Sequence, residues 1–216
     1  MNKDTGRKSL VDLWRRDLRR HQGNLKDLGL WVSGVYHFGS WTHQMPAGLP
    51  RKVLSKIYGA LRLGVELTTG CTIHREAKIG DDLHIVHGWN IRIHPCVVIG
   101  DRCGIMHDVT IGTNMERGGV ATIGDDVFIG AGAKILGELT IGDRAVIGAN
   151  SLVIGDVPPG ATAIGVPARV MRVIPRMTTR EDARANTTKE VANAGGPPVV
   201  DAEKEGGALD KAPVTS

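Results

Sequence analysis

The chain has 216 residues, of which 41% are hydrophobic, 23% charged and only 4% aromatic, and its formal net charge is +4. The basic residues are dispersed, with no stripe of them interleaved with aromatics, which excludes a nucleic-acid binder. With 29 glycines and almost no large rings, the core must come from aliphatic side chains packed in a regular repeat.

A weak positive balance suits an anionic, nucleotide-bearing ligand. The three cysteines, Cys71, Cys96 and Cys103, contain no C-x-x-C pair and fit a reducing compartment. The segment MNKDTGRKSL has no apolar signal core, and the sequence has no apolar run long enough to cross a bilayer. The expectation is a cytoplasmic protein whose membrane contact is at most peripheral.

Three segments follow one another. Residues 1–66 read as helical. Leu10, Leu13, Trp14 and Leu18 recur at helical spacing behind Ser9, an N-cap residue. A second apolar run extends from Leu28 to Trp41, Pro46 and Pro50 interrupt it, and a third helix is expected from about Arg51 to Leu67. Residues 67–175 change texture and carry a six-residue repeat. Residues 176–216, rich in Ala, Gly, Pro, Glu, Lys and Thr without a periodic apolar face, read as a disordered tail.

In the repeat, aliphatic residues stand at Ile73, Ile79, Ile85, then Ile93, Ile99, Ile105, Ile111, then Ile123, Ile129, Ile135, Ile141, Ile147 and Val153. Four positions after most of them comes a small or medium residue, as at Ala77, Val97, Cys103, Val127, Ala133 and Ser151. One hexad is a short strand and a turn. Three hexads make a triangular coil, and coils stack about 4.8 Å apart through parallel ladders. The isoleucines then line the inside, and the small residues, Cys71 and Cys103 among them, fill the corners. The glycine that often follows the aliphatic residue is expected to supply corner backbone angles. A parallel sheet with helical crossovers has no room between strands this close together.

Two places break the period. Ile85 to Ile93 spans eight positions, the extra residues lying in His87-Gly88-Trp89-Asn90. Between Ile111 and Ile123 a whole hexad is expected to be replaced by a loop, 113–120. Loops on a rigid scaffold are where binding concentrates. His87 is two after Ile85 and His107 two after Ile105, so the register stacks them on one edge. Asp125, two after Ile123, is expected to continue that column.

The stretches IVHGWNIRIHPCVVIGDRCGIMHDVTIG, IGAGAKILGELTIGDRAVIGANSLVIGDVPPG and GVPARV resemble the serine O-acetyltransferase family, and are most similar to its colanic-acid and exopolysaccharide acetyltransferase branch. The resemblance covers about 73–172, and DLRRHQGNL looks weakly like the branch's shortened N-terminal segment. It implies a left-handed parallel β-helix, although crossovers are ordinarily right-handed. It also implies acetyl-CoA as cosubstrate, no metal, and a homotrimer with its site in the groove between neighbouring coils. The family's catalytic histidine falls on His87, with His107 in a supporting place. Its coenzyme A contacts fall on Gly112, Thr113, Ala131, Ala149, Pro167 and Arg169, with Lys134 and Arg172 beside the phosphates.

The departures bear on the acceptor. Serine acetyltransferases carry an aspartate fifteen residues before the histidine, where this chain has Thr72, and another directly before it, where this chain has Val86. Where they grip the amino acid with an Arg-His pair, this chain reads Gly119-Val120. The expected reaction is therefore transfer of acetyl to a sugar hydroxyl in exopolysaccharide biosynthesis. His87 would be general base, a backbone N–H near Gly112 would face the oxyanion, and no acyl-enzyme would form. A histidine suits the task because it is mostly neutral at pH 7. The alternatives are a serine O-acetyltransferase, a zinc hydratase on the same coil, disfavoured by the lack of a His-x4-His pair, and a non-catalytic solenoid.

Overall fold

A computed structural model describes residues 9–114 and 118–171. The tail expected at 176–216, Arg172, and the tip of the loop at 115–117 lie outside the described residues. The described part falls within one compact unit, Met1–Ile174.

Three helices come first. Helix α1, Leu10–Arg20, starts at Ser9, whose hydroxyl accepts from the Val11 N–H at 3.3 Å. Helix α2, Leu28–His43, starts at Asp27, whose carboxylate accepts from the Gly29 N–H at 2.9 Å. Both side chains pair an otherwise orphaned first-turn donor. Helix α3, Leu49–Thr69, begins slightly before Arg51, because Pro50 sits in its first turn, where a missing N–H costs nothing. It stops at Gly70, whose φ of 69° is the left-handed conformation that ends helices.

The rest is a parallel β-helix. The first coil holds β1 (Thr72–Ile73), β2 (Lys78–Ile79) and β3 (His84–Ile85). The second holds β4 (Arg92–Ile93), β5 (Val98–Ile99) and β6 (Gly104–Ile105), and the third β7 (Thr110–Gly112), β8 (Thr122–Ile123) and β9 (Phe128–Ile129). The fourth holds β10 (Lys134–Leu136), β11 (Thr140–Ile141) and β12 (Val146–Ile147), after which β13 (Leu152–Val153), β14 (Thr162–Gly165) and β15 (Ala168–Met171) close the stack. The three faces are the sheets β1-β4-β7-β10-β13, β2-β5-β8-β11 and β3-β6-β9-β12-β14-β15, here faces A, B and C. All pairs are parallel except β14–β15.

The isoleucines stack face by face. Ile73, Ile93, Ile111, Ile135 and Val153 form one inward column, and Ile85, Ile105, Ile129, Ile147 and Ala163 another, all buried. Burying each such isoleucine contributes about 1.5–3 kcal/mol. Cys71 and Cys103 are buried among them, and burial pushes the Cys103 thiol up to about 11.

Two expectations about the coil change. The glycine after the aliphatic residue does not turn the corner. At the B–C corner the left-handed residues are Asp82, Arg102, Asp126 and Arg144, with φ between 57° and 59°. The preceding glycine lets coils approach: a Cβ on Gly100 would lie 2.6 Å from the Gly124 carbonyl oxygen. The loop after Ile111 does not replace a hexad either. Ile111 is on face A and Ile123 on face B, consecutive faces, so the loop is an insertion at the A–B corner.

That phase moves Asp125. It belongs to the B–C corner, in a ladder where the N–H of Asp81 donates to Asp101, that of Asp101 to Asp125, and that of Asp125 to Asp143, at 2.8–2.9 Å. It does not extend the histidine column.

The helices cover the first coil. The buried Tyr36 hydroxyl donates to the Ala77 carbonyl at 2.8 Å and accepts from the Ile79 N–H at 3.2 Å, replacing the strand that β2 lacks on that side. Its own burial pushes this phenol up to about 12. Arg16 of α1 pairs with Asp81 at 2.9 Å.

Candidate active site

The slip at His87 is built by α2. Gly29, in the first turn of α2, lies against the carbonyl of Ile85, and Gly88 lies against Gly29: a Cβ on Gly88 would come within 2.6 Å of the Gly29 nitrogen. Two glycines facing each other let the helix end touch the backbone of the slip. Asp27 caps α2 and also takes the ring nitrogen Nδ1 of buried His21 at 2.7 Å. Burial alone would push this carboxyl up, but the bonds from His21 and the Gly29 amide outweigh it and hold it below the usual range. The His21 ring meets that of His84 edge-on at 5.1 Å. Burial first, then the neighbouring His21 and Arg20, pushes His84 below the usual histidine range.

His87 itself has φ 56°, a left-handed conformation uncommon outside glycine, Asn and Asp, and it is exposed. His107 is half-buried. The two ring centroids are 6.0 Å apart with the planes inclined at 60°. The pairing of Ile85 with Ile105 is the cause: the two added residues fall after His87 and leave its register intact. Among the described residues no group hydrogen-bonds the buried Nδ1 of His107.

The same register carries the column onward. Ile105 pairs with Ile129 and Ile129 with Ile147, so the positions after His87 and His107 on this C–A corner are Ala131 and Ala149. The methyl groups leave this stretch of the edge low. The hairpin of β14 and β15 ends the column, with Pro167 at its turn and Arg169 exposed on β15. Beside the column runs a polar network. Asn90 Nδ2 donates to Asp108 Oδ1 at 2.7 Å, and Lys134 Nζ lies 3.2 Å from the same oxygen. Asn90 and Asp108 each stand three and one residues past their histidine yet share the corner, because the slip absorbs the difference. Counting the slip from its far side exposes this network in the sequence.

Gly112 and Thr113 are not on this corner. They end face A, where the loop emerges, and no atom would meet a Cβ added at Gly112 within 4 Å. Thr72, in the place of the family's aspartate, is on β1, and its hydroxyl donates to Glu66 at 3.2 Å. Gly119 has φ 70°, and a Cβ there would lie 2.4 Å from that of Glu138, so the position of the family's arginine is closed to a side chain in this loop conformation. Among the described residues no group of three or more His, Cys, Asp or Glu side chains is placed to hold a metal ion.

An exposed base beside a second imidazole, on an edge that continues in alanines, can take a proton from an acceptor while an extended thioester lies along the coil. Comparison with known proteins bears on that chemistry. Residues 121–155 match the family described as bacterial transferase hexapeptide (six repeats). Soybean serine acetyltransferase, as the apoenzyme, is 33% identical with a TM-score of 0.62, over 76% of this chain and 69% of that one. The same enzyme complexed with serine is 32% identical with a TM-score of 0.62, over 76% and 70%. Serine acetyltransferase from Brucella abortus in complex with coenzyme A is 25% identical with a TM-score of 0.65, over 76% and 68%. A comparison with curated proteins returns no match.

Proposed function

The chain belongs to the hexapeptide-repeat acyltransferases that include the serine acetyltransferases, and on that footing we propose that it transfers the acetyl group of acetyl-CoA to a hydroxyl, with His87 as general base. The observation that carries the reading is the single edge on which His87 and His107 run on into Ala131 and Ala149. His87 takes the acceptor proton as the oxygen attacks the thioester carbonyl. The carbon–oxygen bond forms, the carbon–sulfur bond breaks, and the imidazolium returns the proton to the departing thiolate. His107 orients His87 or meets the acceptor. The pantetheine arm lies along Ala131 and Ala149 toward Pro167 and Arg169, with Arg169 near its phosphates, while Lys134, expected there, is held on Asp108 at the histidine end.

Gly112 and Thr113 end the far side of face A, so their part in the same site requires a neighbouring copy. This supports a homotrimer, in which a backbone N–H of the loop that leaves β7 after Gly112 in one copy would face the oxyanion formed beside another.

Two acceptors are carried. L-serine has the support of the solved relatives, one of them complexed with serine. A sugar hydroxyl in exopolysaccharide assembly is favoured by two features of this chain: Thr72, engaged with Glu66, where the family has an acid, and the closed Gly119. The test is thiol release from acetyl-CoA with L-serine and a panel of sugars. One acceptor is expected to support turnover, and His87→Ala to lower it by roughly 10²–10⁴-fold. Unchanged turnover in the variant removes His87 from the mechanism, and which acceptor responds decides between the two.

A further inference from the structure

Helix α3 turns its apolar side to solvent. Leu49, Val53, Lys56, Ala60, Leu63 and Leu67 follow one another at helical spacing, and all six are exposed, Leu49 by 74% and Leu67 by 77%. The opposite side, marked by buried Tyr58 and Thr69, faces the protein. A surface helix ordinarily shows charged and polar residues on its outer face. Here the only exposed charged residues are Lys52 and Lys56. The one acidic residue of the helix, Glu66, is turned elsewhere, holding Thr72 and lying 3.9 Å from Arg62.

What covers this face must accept apolar side chains and tolerate lysine without a carboxylate. A second copy of α3 laid on the stripe would bury Lys56 near its centre with no acid opposite, an uncompensated charge. A lipid surface meets both demands. The lysine stem lies along the apolar boundary and its ammonium reaches the headgroup phosphates. Among the described residues no helix is long and apolar enough to cross a membrane, which leaves the in-plane mode, with an apolar face sunk at the headgroup boundary and basic residues beside it. We propose that α3 docks this protein onto anionic bilayer surfaces, its leucine–valine stripe in the interface and Lys52 and Lys56 on the headgroups. The proposal is independent of the acceptor and of the role of His87.

The full chain is spun with vesicles of phosphatidylcholine alone and of phosphatidylcholine mixed with phosphatidylglycerol. It is expected to sediment with the mixed vesicles, less so as salt rises. The paired change Lys52→Glu and Lys56→Glu, and separately Leu63→Ser, are each expected to weaken that binding about tenfold or more while circular dichroism stays unchanged. Failure to sediment with the mixed vesicles, equal binding to neutral ones, or undiminished binding by the variants would overturn the proposal. Loss of the homotrimer, or of any larger assembly, in sedimentation velocity of Leu63→Ser would give the face to a second copy and overturn it too.

Discussion

A methyl group added at Gly100 would fall 2.6 Å from the carbonyl oxygen of Gly124, one coil on. The next coil's backbone cannot withdraw without breaking the ladder on both sides, so Gly100→Ala is expected to destabilise by about 1–3 kcal/mol in urea denaturation. Gly155, with no atom within 4 Å of an added Cβ and no left-handed φ, is the control, and alanine there is expected to be neutral or mildly stabilising. At this scale the sequence is legible wherever counting survives. His87 and His107 could be paired from the register alone because the two extra residues come after the first of them. Asp125 could not, because six inserted residues and a replaced hexad look alike in a one-dimensional count. They differ only in which face Ile123 joins, and that is fixed by its ladder register with Ile99 and Ile141.

The start of α1 was legible for a similar reason: Ser9 is a local signal whose partner lies within one turn, whereas the third helix, expected to end at about Leu67, runs on to Thr69 before Gly70. How the helices meet the coil was not, since Tyr36 bonds residues 41 and 43 positions away and Gly29 meets Gly88 without any periodic mark. Tyr36→Phe keeps the ring and removes the hydroxyl, leaving the Ala77 carbonyl and Ile79 N–H unpaired at the coil's end. A loss of about 1–3 kcal/mol is expected in denaturant melts. The junction of α1, α2 and β3 responds to acid. A histidine held below its ordinary pKa in the folded state contributes stability that is complete above about pH 6.5 and is lost as pH falls through the lowered folded value. His84, beside His21 and Arg20, is such a group. The thermal midpoint is expected to fall between pH 7.5 and 5.5, and His84→Gln to flatten part of that fall. An identical slope in the variant would assign the acid sensitivity elsewhere.

Over the described residues, the β-helix is a stack of coils with its variation at corners. The slip sits at C–A, the long loop at A–B, and the column pairing of the isoleucines runs undisturbed past both. Function can change at such corners without altering the core. The parallel pairing also has a mechanical consequence. Ladder bonds between successive coils point along the axis of the stack, so a pull on its two ends loads them one coil after another. Each rupture frees the chain between column partners: 20 residues from Ile73 to Ile93, 18 to Ile111, 24 to Ile135 and 18 to Val153. At about 3.3–3.6 Å of extended chain per residue, single-molecule stretching is expected to show steps of roughly 60–85 Å, two equal and two longer. The turn that carries His87 and the turn that carries the loop would then be recognisable by length, as a slightly long and a distinctly long step in an otherwise even series.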